Sequence, residues 1–278
     1  MSNPHQFEIN GLHIGGADLF LIAGPCVIES EAHALKMAES ISAIARKLQM
    51  PYVFKASYDK ANRTSLSSFR GPGLEEGLRI LKKVKAATGL PVLTDVHQAA
   101  DVPQVAEAVD IVQIPAFLCR QTDLLVSAAK HARAINIKKG QFVSPWDMRH
   151  AVDKVRESGN NNIFLTERGS SFGYNNLVVD MRSLGIMREF APVVFDATHS
   201  VQLPSAGADG KAVSGGQPEF IPLLSRAAVA AGVDGIFLEV HDNPAQAKSD
   251  GATTLDLKDL GPVLAELLAI RKALRGQA

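Results

Sequence analysis

Three observations predict an α/β fold, a closed (β/α)8 TIM barrel with a short N-terminal β-hairpin. Short apolar runs rich in Val, Ile, Leu and Phe recur eight times along the chain. Each is followed by a stretch with apolar residues at three- and four-residue spacing, the pattern of an amphipathic helix. The unit length is roughly 35 residues, as eight strand–helix units in a chain of this size require. An open doubly wound sheet is the competing architecture, but no glycine fingerprint follows any run. No linker or composition break divides the 278 residues. Residues 1–278 therefore read as one domain, with 1–17 as the hairpin extension.

Phe7 to Gly16 alternates around Asn10-Gly11, the dipeptide that a tight hairpin turn needs. The strand runs are Leu19–Ala23, Tyr52–Ser57, Val92–Val96, Ile111–Ile114, Ile135–Lys138, Ile163–Thr166, Val193–Ala197 and Gly235–Val240. They lack alternation, so both faces are expected to be buried. Helices are predicted over Glu31–Leu48, Leu74–Thr88, Val102–Ala108, Asp123–Ala134, Met148–Ser158, Leu177–Phe190, Glu219–Ala231 and Leu257–Leu274. Two Gly/Ser/Ala-rich or long connections, Leu203–Gln217 and His241–Thr254, read as mobile loops able to close over a ligand.

Composition narrows the function. Lys+Arg and Asp+Glu are 29 each, so no net charge draws the chain to nucleic acid or to a membrane surface. Hydrophobic residues make up 46%, which supports a packed core rather than disorder. Two cysteines in a chain this long make no disulfide framework and suggest a reducing compartment. MSNPHQFEIN has no apolar signal core, and no run approaches the roughly 20 apolar residues of a membrane span. A cytoplasmic protein is the expectation.

A barrel places its chemistry at the C-terminal ends of the strands and in the loops that follow. Those positions hold Cys26, Lys55, Lys60, Asn62, Arg63, Asp95, His97, Gln113, Lys138, Glu167, Arg168, Asp196, His199, Glu239 and His241. Charges such as Asp95 and Lys138 stand directly against apolar runs, where an unpaired charge is costly. Lys55, Lys60, Arg63, Lys138 and Arg168 would point into one mouth. Five cations exceed what a single phosphate needs and suggest two anionic groups or two phosphorylated substrates. Lys139 and Arg70 read as solvated rim charges. Closure sets the first, seventh and eighth strands side by side, which would gather Cys26, His199 and Glu239, with Asp250 folding back from the last loop. Thiolate, imidazole and two carboxylates suit Zn²⁺, Fe²⁺, Mn²⁺ or Co²⁺. Cys119 falls across the barrel and reads as structural.

Long motifs carry a family resemblance. They include AGPC (23–26), KASYDKANRTS (55–65), FRGPG (69–73), TDVH (94–97), QIPAFLCRQTDLL (113–125), KKGQF (138–142), TERGSSFGYNNLVVDMRSL (166–184) and DATHSVQLP (196–204). Together they closely resemble the 3-deoxy-D-manno-octulosonate 8-phosphate synthases. The resemblance implies a (β/α)8 barrel, usually a homotetramer, that condenses phosphoenolpyruvate with D-arabinose 5-phosphate for lipopolysaccharide biosynthesis. It implies phosphoenolpyruvate contacts at Lys60, Gln113, Ala116, Lys138 and Arg168, with Lys55 nearby. It also implies pentose phosphate contacts at Asn62, Arg63 and Thr64, where Thr64 keeps the hydroxyl of the family's more usual Ser. Arg120 resembles an arginine that reaches a neighbouring subunit's sugar phosphate. Asp95 and His97 resemble residues near the sugar's reacting end, and Lys60, His199 and Asp250 join them as catalytic candidates. Cys26, with His199, Glu239, Asp250 and the preceding Ser249, resembles the metal-dependent class; the other class has Asn in place of Cys26. The related 3-deoxy-D-arabino-heptulosonate 7-phosphate synthases carry a KPR-type motif where this chain has KANR (60–63). A barrel that binds sugar phosphates without catalysis is the non-enzymatic alternative.

Overall fold

The structure, a computed structural model, describes residues 3–63, 65–204 and 215–275. Its barrel strands are β1 (Phe20–Gly24), β2 (Tyr52–Lys55), β3 (Val92–Asp95), β4 (Ile111–Ile114), β5 (Ala134–Lys138), β6 (Ile163–Glu167), β7 (Val193–Asp196) and β8 (Gly235–His241). The helices are α1 (Glu31–Lys47), α2 (Leu74–Thr88), α3 (Val102–Ala108), α4 (Thr122–His131), α5 (Met148–Glu157), α6 (Arg182–Arg188), α7 (Ile221–Ala230) and α8 (Leu257–Arg275). Each strand pairs in parallel with its neighbours from β1 to β7. β8 closes the ring against both β7 and β1. The predicted closed barrel is the fold observed.

Burial on both faces explains the continuous apolar runs. Outward-facing residues such as Leu21 and Ala23 pack against the helices in one large core. Inward-facing Phe20, Ile22, Val53, Leu93, Ile111, Ala134, Phe164, Val194 and Phe237 fill the lumen. The hairpin, Phe7–Ile9 paired with Leu12–Ile14, adds Ile9, Leu12 and Ile14 to that inner cluster and so plugs the N-terminal end. Its turn is as expected: Asn10 and Gly11 both adopt positive φ, 48° and 76°.

Two helix boundaries differ from the sequence reading by three residues or more. The sixth helix begins at Arg182 rather than Leu177, because Leu177–Val178 pairs antiparallel with Ser170–Ser171 inside the preceding loop. The fourth ends at His131, because Ala134 already belongs to β5. Small alanines fit either period, so only the pairing decides. Of the two loops read as mobile, Leu203–Gln217 lies mostly outside the described residues. The other is fastened at several points: Lys248 N–H donates to Glu29 (2.8 Å), and Asp250 C=O accepts from Thr253 N–H (3.0 Å) and the Thr254 hydroxyl (2.9 Å).

Candidate active site

The C-terminal mouth of the barrel holds a cavity of about 740 Å³. It is lined by Lys55, Lys60, Asn62, Arg63, Asp95, His97, Gln113, Ala116, Lys138, Arg168, His199 and Asp250. The five cations expected to share one mouth therefore do so. Arg120 is exposed and does not line the cavity, and Thr64 lies outside the described residues.

Cys26 is placed by backbone contact rather than by its own side chain. A Cβ on Gly24 would meet the Lys55 carbonyl at 2.0 Å, so only glycine lets β1 end this close to β2. The Cys26 carbonyl then accepts from Lys55 Nζ (3.0 Å) and Ser57 N–H (3.3 Å). From there Cys26 Sγ lies 2.8 Å from Ser249 Oγ and 3.2 Å from Asp250 Oδ2. Asp250 adopts a left-handed φ of 49°, which an aspartate tolerates better than most residues. One ligand atom each from Cys26, Glu239 and Asp250 lies within 4.8 Å of the others. His199 Nε2 faces two of them, at 3.7 Å from Glu239 and 3.9 Å from Asp250.

These four residues fit a divalent metal. Burial, then the charges of Asp250 and Glu239, push the Cys26 thiol well above its ordinary range against the opposing pull of Lys60 and Lys55, and a divalent ion at this position would favour the thiolate. Glu239 is fully buried and its Oε2 has no hydrogen-bond partner. Burial opposes its ionisation, but Lys55, His199 and Lys60 hold it well below the usual carboxylate range. His199 Nδ1 is 2.7 Å from Asp196 Oδ2, the outer carboxylate that fixes an imidazole's tautomer and frees Nε2.

Asp196, at the end of β7, is one of the strand-end residues to which the sequence alone assigns no role. It also binds Lys138 Nζ, which sits 4.0 Å from the Phe237 ring centroid. Burial dominates Lys138 and lowers its pKa despite that partner. Arg168 is held by the His199 carbonyl (3.1 Å) and Gln202 Oε1 (2.8 Å), while its Nε is buried with no partner. Asp95 Oδ1 and Gln113 Oε1 are likewise unpartnered. Buried polar groups are normally satisfied, so this collection around one cavity marks a surface built for a polar ligand. Arg63 ties the loop after β2 to the last loop through the Phe69 and Lys248 carbonyls (3.2 and 3.1 Å).

Lys139 is a correction. Read as a rim charge, it is 1% exposed. Its Nζ reaches Ser170 Oγ (3.0 Å), three backbone carbonyls at 3.3–3.4 Å and Glu167 Oε1 (3.5 Å). Glu167 Oε1 in turn accepts from the backbone N–H groups of Arg168 (2.9 Å) and Gly169 (2.6 Å). This buried pair locks the loop after β5 to the loop after β6, which sets Lys138 and Arg168 relative to each other. Sequence reasoning misses it because adjacent lysines at a strand end look alike. Only the pleat sends one into the mouth and the other behind it. Arg70, by contrast, is the exposed partner of Asp59 that its reading implied.

A closed barrel with cations, unpartnered polar atoms and a metal-fitting quartet at its C-terminal mouth defines a class: a barrel enzyme acting on small anionic substrates. The chain belongs to the DAHP synthetase I family, whose model matches residues 5–274. Its relatives include the "2-dehydro-3-deoxyphosphooctonate aldolase" of Koribacter versatilis, 71% identical over 267 residues, 96% of each chain. The protein of the same name from Trichlorobacter lovleyi is 60% identical over 97% of this chain and 99% of the relative. That from a Synechococcus strain is 58% identical over 93% and 90%. The name denotes the octulosonate phosphate synthase, so the resemblance read from the motifs is borne out.

Proposed function

We propose that the chain condenses phosphoenolpyruvate with D-arabinose 5-phosphate and water to give 3-deoxy-D-manno-octulosonate 8-phosphate and phosphate. The observation that carries this is the single cavity in which Lys55, Lys60, Arg63, Lys138 and Arg168 converge above a buried metal-fitting quartet. That much positive charge suits two phosphorylated substrates. The names of the relatives support the same reaction over the heptulosonate alternative.

Lys138 and Arg168 hold the phosphate of phosphoenolpyruvate, with the unpartnered Arg168 Nε free to donate to it. Lys60 and Gln113 hold its carboxylate end, against the backbone at Ala116. Asn62, Arg63 and Thr64 hold the pentose phosphate, and Asp95 and His97 stand at the aldehyde. Carbon 3 of the enol attacks that aldehyde, water adds at carbon 2, and the hemiketal phosphate breaks its carbon–oxygen bond to release phosphate. Alignment of the two reactants supplies a large share of the rate, on the order of 7–11 kcal/mol in well-oriented systems. Asp95 and Asp250 move protons, with His199 restricted in that role where its Nε2 holds the metal and its Nδ1 stays on Asp196. Cys26, His199, Glu239 and Asp250 would hold Zn²⁺, Fe²⁺, Mn²⁺ or Co²⁺, and that ion would supply Lewis-acid activation of water or of the reacting aldehyde. Residues 1–278 act as one catalytic domain in the cytoplasm, as a homotetramer in which Arg120 reaches the next subunit's sugar phosphate.

The test is phosphate release with arabinose 5-phosphate or erythrose 4-phosphate as acceptor. Turnover with the pentose alone is expected, and preference for erythrose 4-phosphate overturns the assignment. Chelation abolishes activity and divalent metal restores it; full activity after stripping refutes the metal reading. Arg63→Ala raises KM for the pentose phosphate far more than for phosphoenolpyruvate, and equal loss for both contradicts these roles.

A further inference from the structure

A second group of metal-ligand side chains lies outside the catalytic cavity. Glu29, His33 and His241 each offer one ligand atom, and these atoms lie within 4.8 Å of one another. None of the three lines the cavity. They come from the loop after β1, the first turn of α1 and the last residue of β8.

The surroundings of the two histidines give this group its direction. Asp242 Oδ1 lies 3.1 Å from His33 Nε2 and 3.1 Å from His241 Nδ1. With the carboxylate accepting a hydrogen bond from the N–H of each ring, His33 Nδ1 and His241 Nε2 keep their lone pairs. Those are the two ring nitrogens that are buried without a hydrogen-bond partner. Glu29 Oε1 is 3.3 Å from that His241 Nε2. An outer carboxylate that fixes the tautomer and points the opposite nitrogen at an ion is the usual companion of a metal-ligating histidine. Lys36 Nζ holds the other Asp242 oxygen at 2.6 Å, which keeps this carboxylate in the outer role. The rings stand side by side with centroids 4.5 Å apart. One contact competes: Asn243 N–H donates to His241 Nδ1 at 2.9 Å and favours the other tautomer. Ion binding exchanges that contact for the one to Asp242.

We propose that Glu29, His33 and His241 form a second divalent-cation site, of the two-histidine, one-carboxylate kind that suits Zn²⁺, Co²⁺ or Ni²⁺. Glu29 follows Cys26 by three residues, and His241 follows Glu239 by two. An ion bound by these three residues clamps the two backbone segments that carry Cys26 and Glu239.

The test uses the full chain, stripped with chelator, dialysed against Co²⁺ and followed by metal analysis and optical spectroscopy. Two cobalt ions per chain are expected, one of them with the thiolate charge-transfer band of a Cys26 ligand. His33→Ala should bind one cobalt and keep the thiolate band. Glu29→Gln, a second variant near in size, should weaken the ion without the band by at least about tenfold. One cobalt with the band in both wild type and His33→Ala overturns the proposal, as do two cobalts in both. A single cobalt without the band, lost in His33→Ala, sustains this site and refutes the metal reading of the cavity. No bound cobalt in the wild type refutes both.

Discussion

The two ends of the barrel treat buried charge in opposite ways. At the N-terminal end Asp110 is fully buried, and both its oxygens are engaged, by Asn10 Nδ2 (2.5 Å), Lys85 Nζ (2.5 Å) and Val92 N–H (3.0 Å). Asp234 is matched in the same way by Arg188 and Val193 N–H. At the C-terminal end Glu239 Oε2, Asp95 Oδ1, Gln113 Oε1 and Arg168 Nε stay unpartnered. The Asp110 and Asp234 carboxylates at the N-terminal end are completed sets of hydrogen bonds that sew the hairpin and strand starts together. The C-terminal mouth is left short of partners, and a polar ligand supplies them. Unsatisfied buried groups cost stability, and such costs are concentrated where function requires them. The Lys139–Glu167 pair divides the mouth itself: it is satisfied like those two carboxylates, and it lies behind the residues that are not.

Four substitutions test that contrast. Lys139→Met leaves the buried Glu167 carboxylate without its cation, so urea unfolding should show a loss of about 3–5 kcal/mol. A stability unchanged from wild type would mean that the pair is not the lock between the two loops. Arg168→Met should behave in the reverse sense. Its kcat/KM falls between about a hundred- and a thousandfold, roughly 3–4 kcal/mol, while the melting temperature holds, since an incompletely paired buried charge has been removed. Asp110→Ala strands the Asn10 amide and Val92 N–H and costs about 1–3 kcal/mol of stability with kcat intact; an equal loss of kcat would erase the division between the ends.

The smallest effect is pH-dependent. Burial opposes charge on His97, but the Asp95 carboxylate 3.2 Å away raises its pKa above the ordinary 6.5. A raised histidine adds stability that is fully present below pH 6.5 and is lost as pH rises through the folded-state value. Unfolding free energy measured from pH 6 to 9 should therefore lose a small alkaline decline, about 1 kcal/mol or less, in His97→Gln. A variant with the same decline as wild type would detach His97 from Asp95.

Much of the site is legible in the order of residues alone. Cys26, Lys138, Arg168, Asp196 and Glu239 each stand where an apolar run ends, and a barrel turns that position into a shared mouth. The cation count follows from the same logic. Lys139 escapes it, because a strand's pleat sends neighbours to opposite sides and a one-residue difference decides which lysine meets the ligand. The Leu177–Val178 segment escapes it because helical spacing over a few residues does not exclude a short strand once a partner is near.

The sequence by itself determined the architecture, because periodicity and burial on both faces are properties of residues in order along the chain. It also determined which residue types stand at the strand ends. Tertiary structure alone decided how closely they meet. The close approach at Gly24 sets Cys26 beside Lys55, and the closure of β8 on β1 brings Glu239 within ligand distance of a residue more than two hundred positions away. The same closure sets His241 against Glu29 and His33 on the outer side of the seam. Neither meeting leaves a trace in local spacing, since ring closure depends on the geometry of all eight strands together.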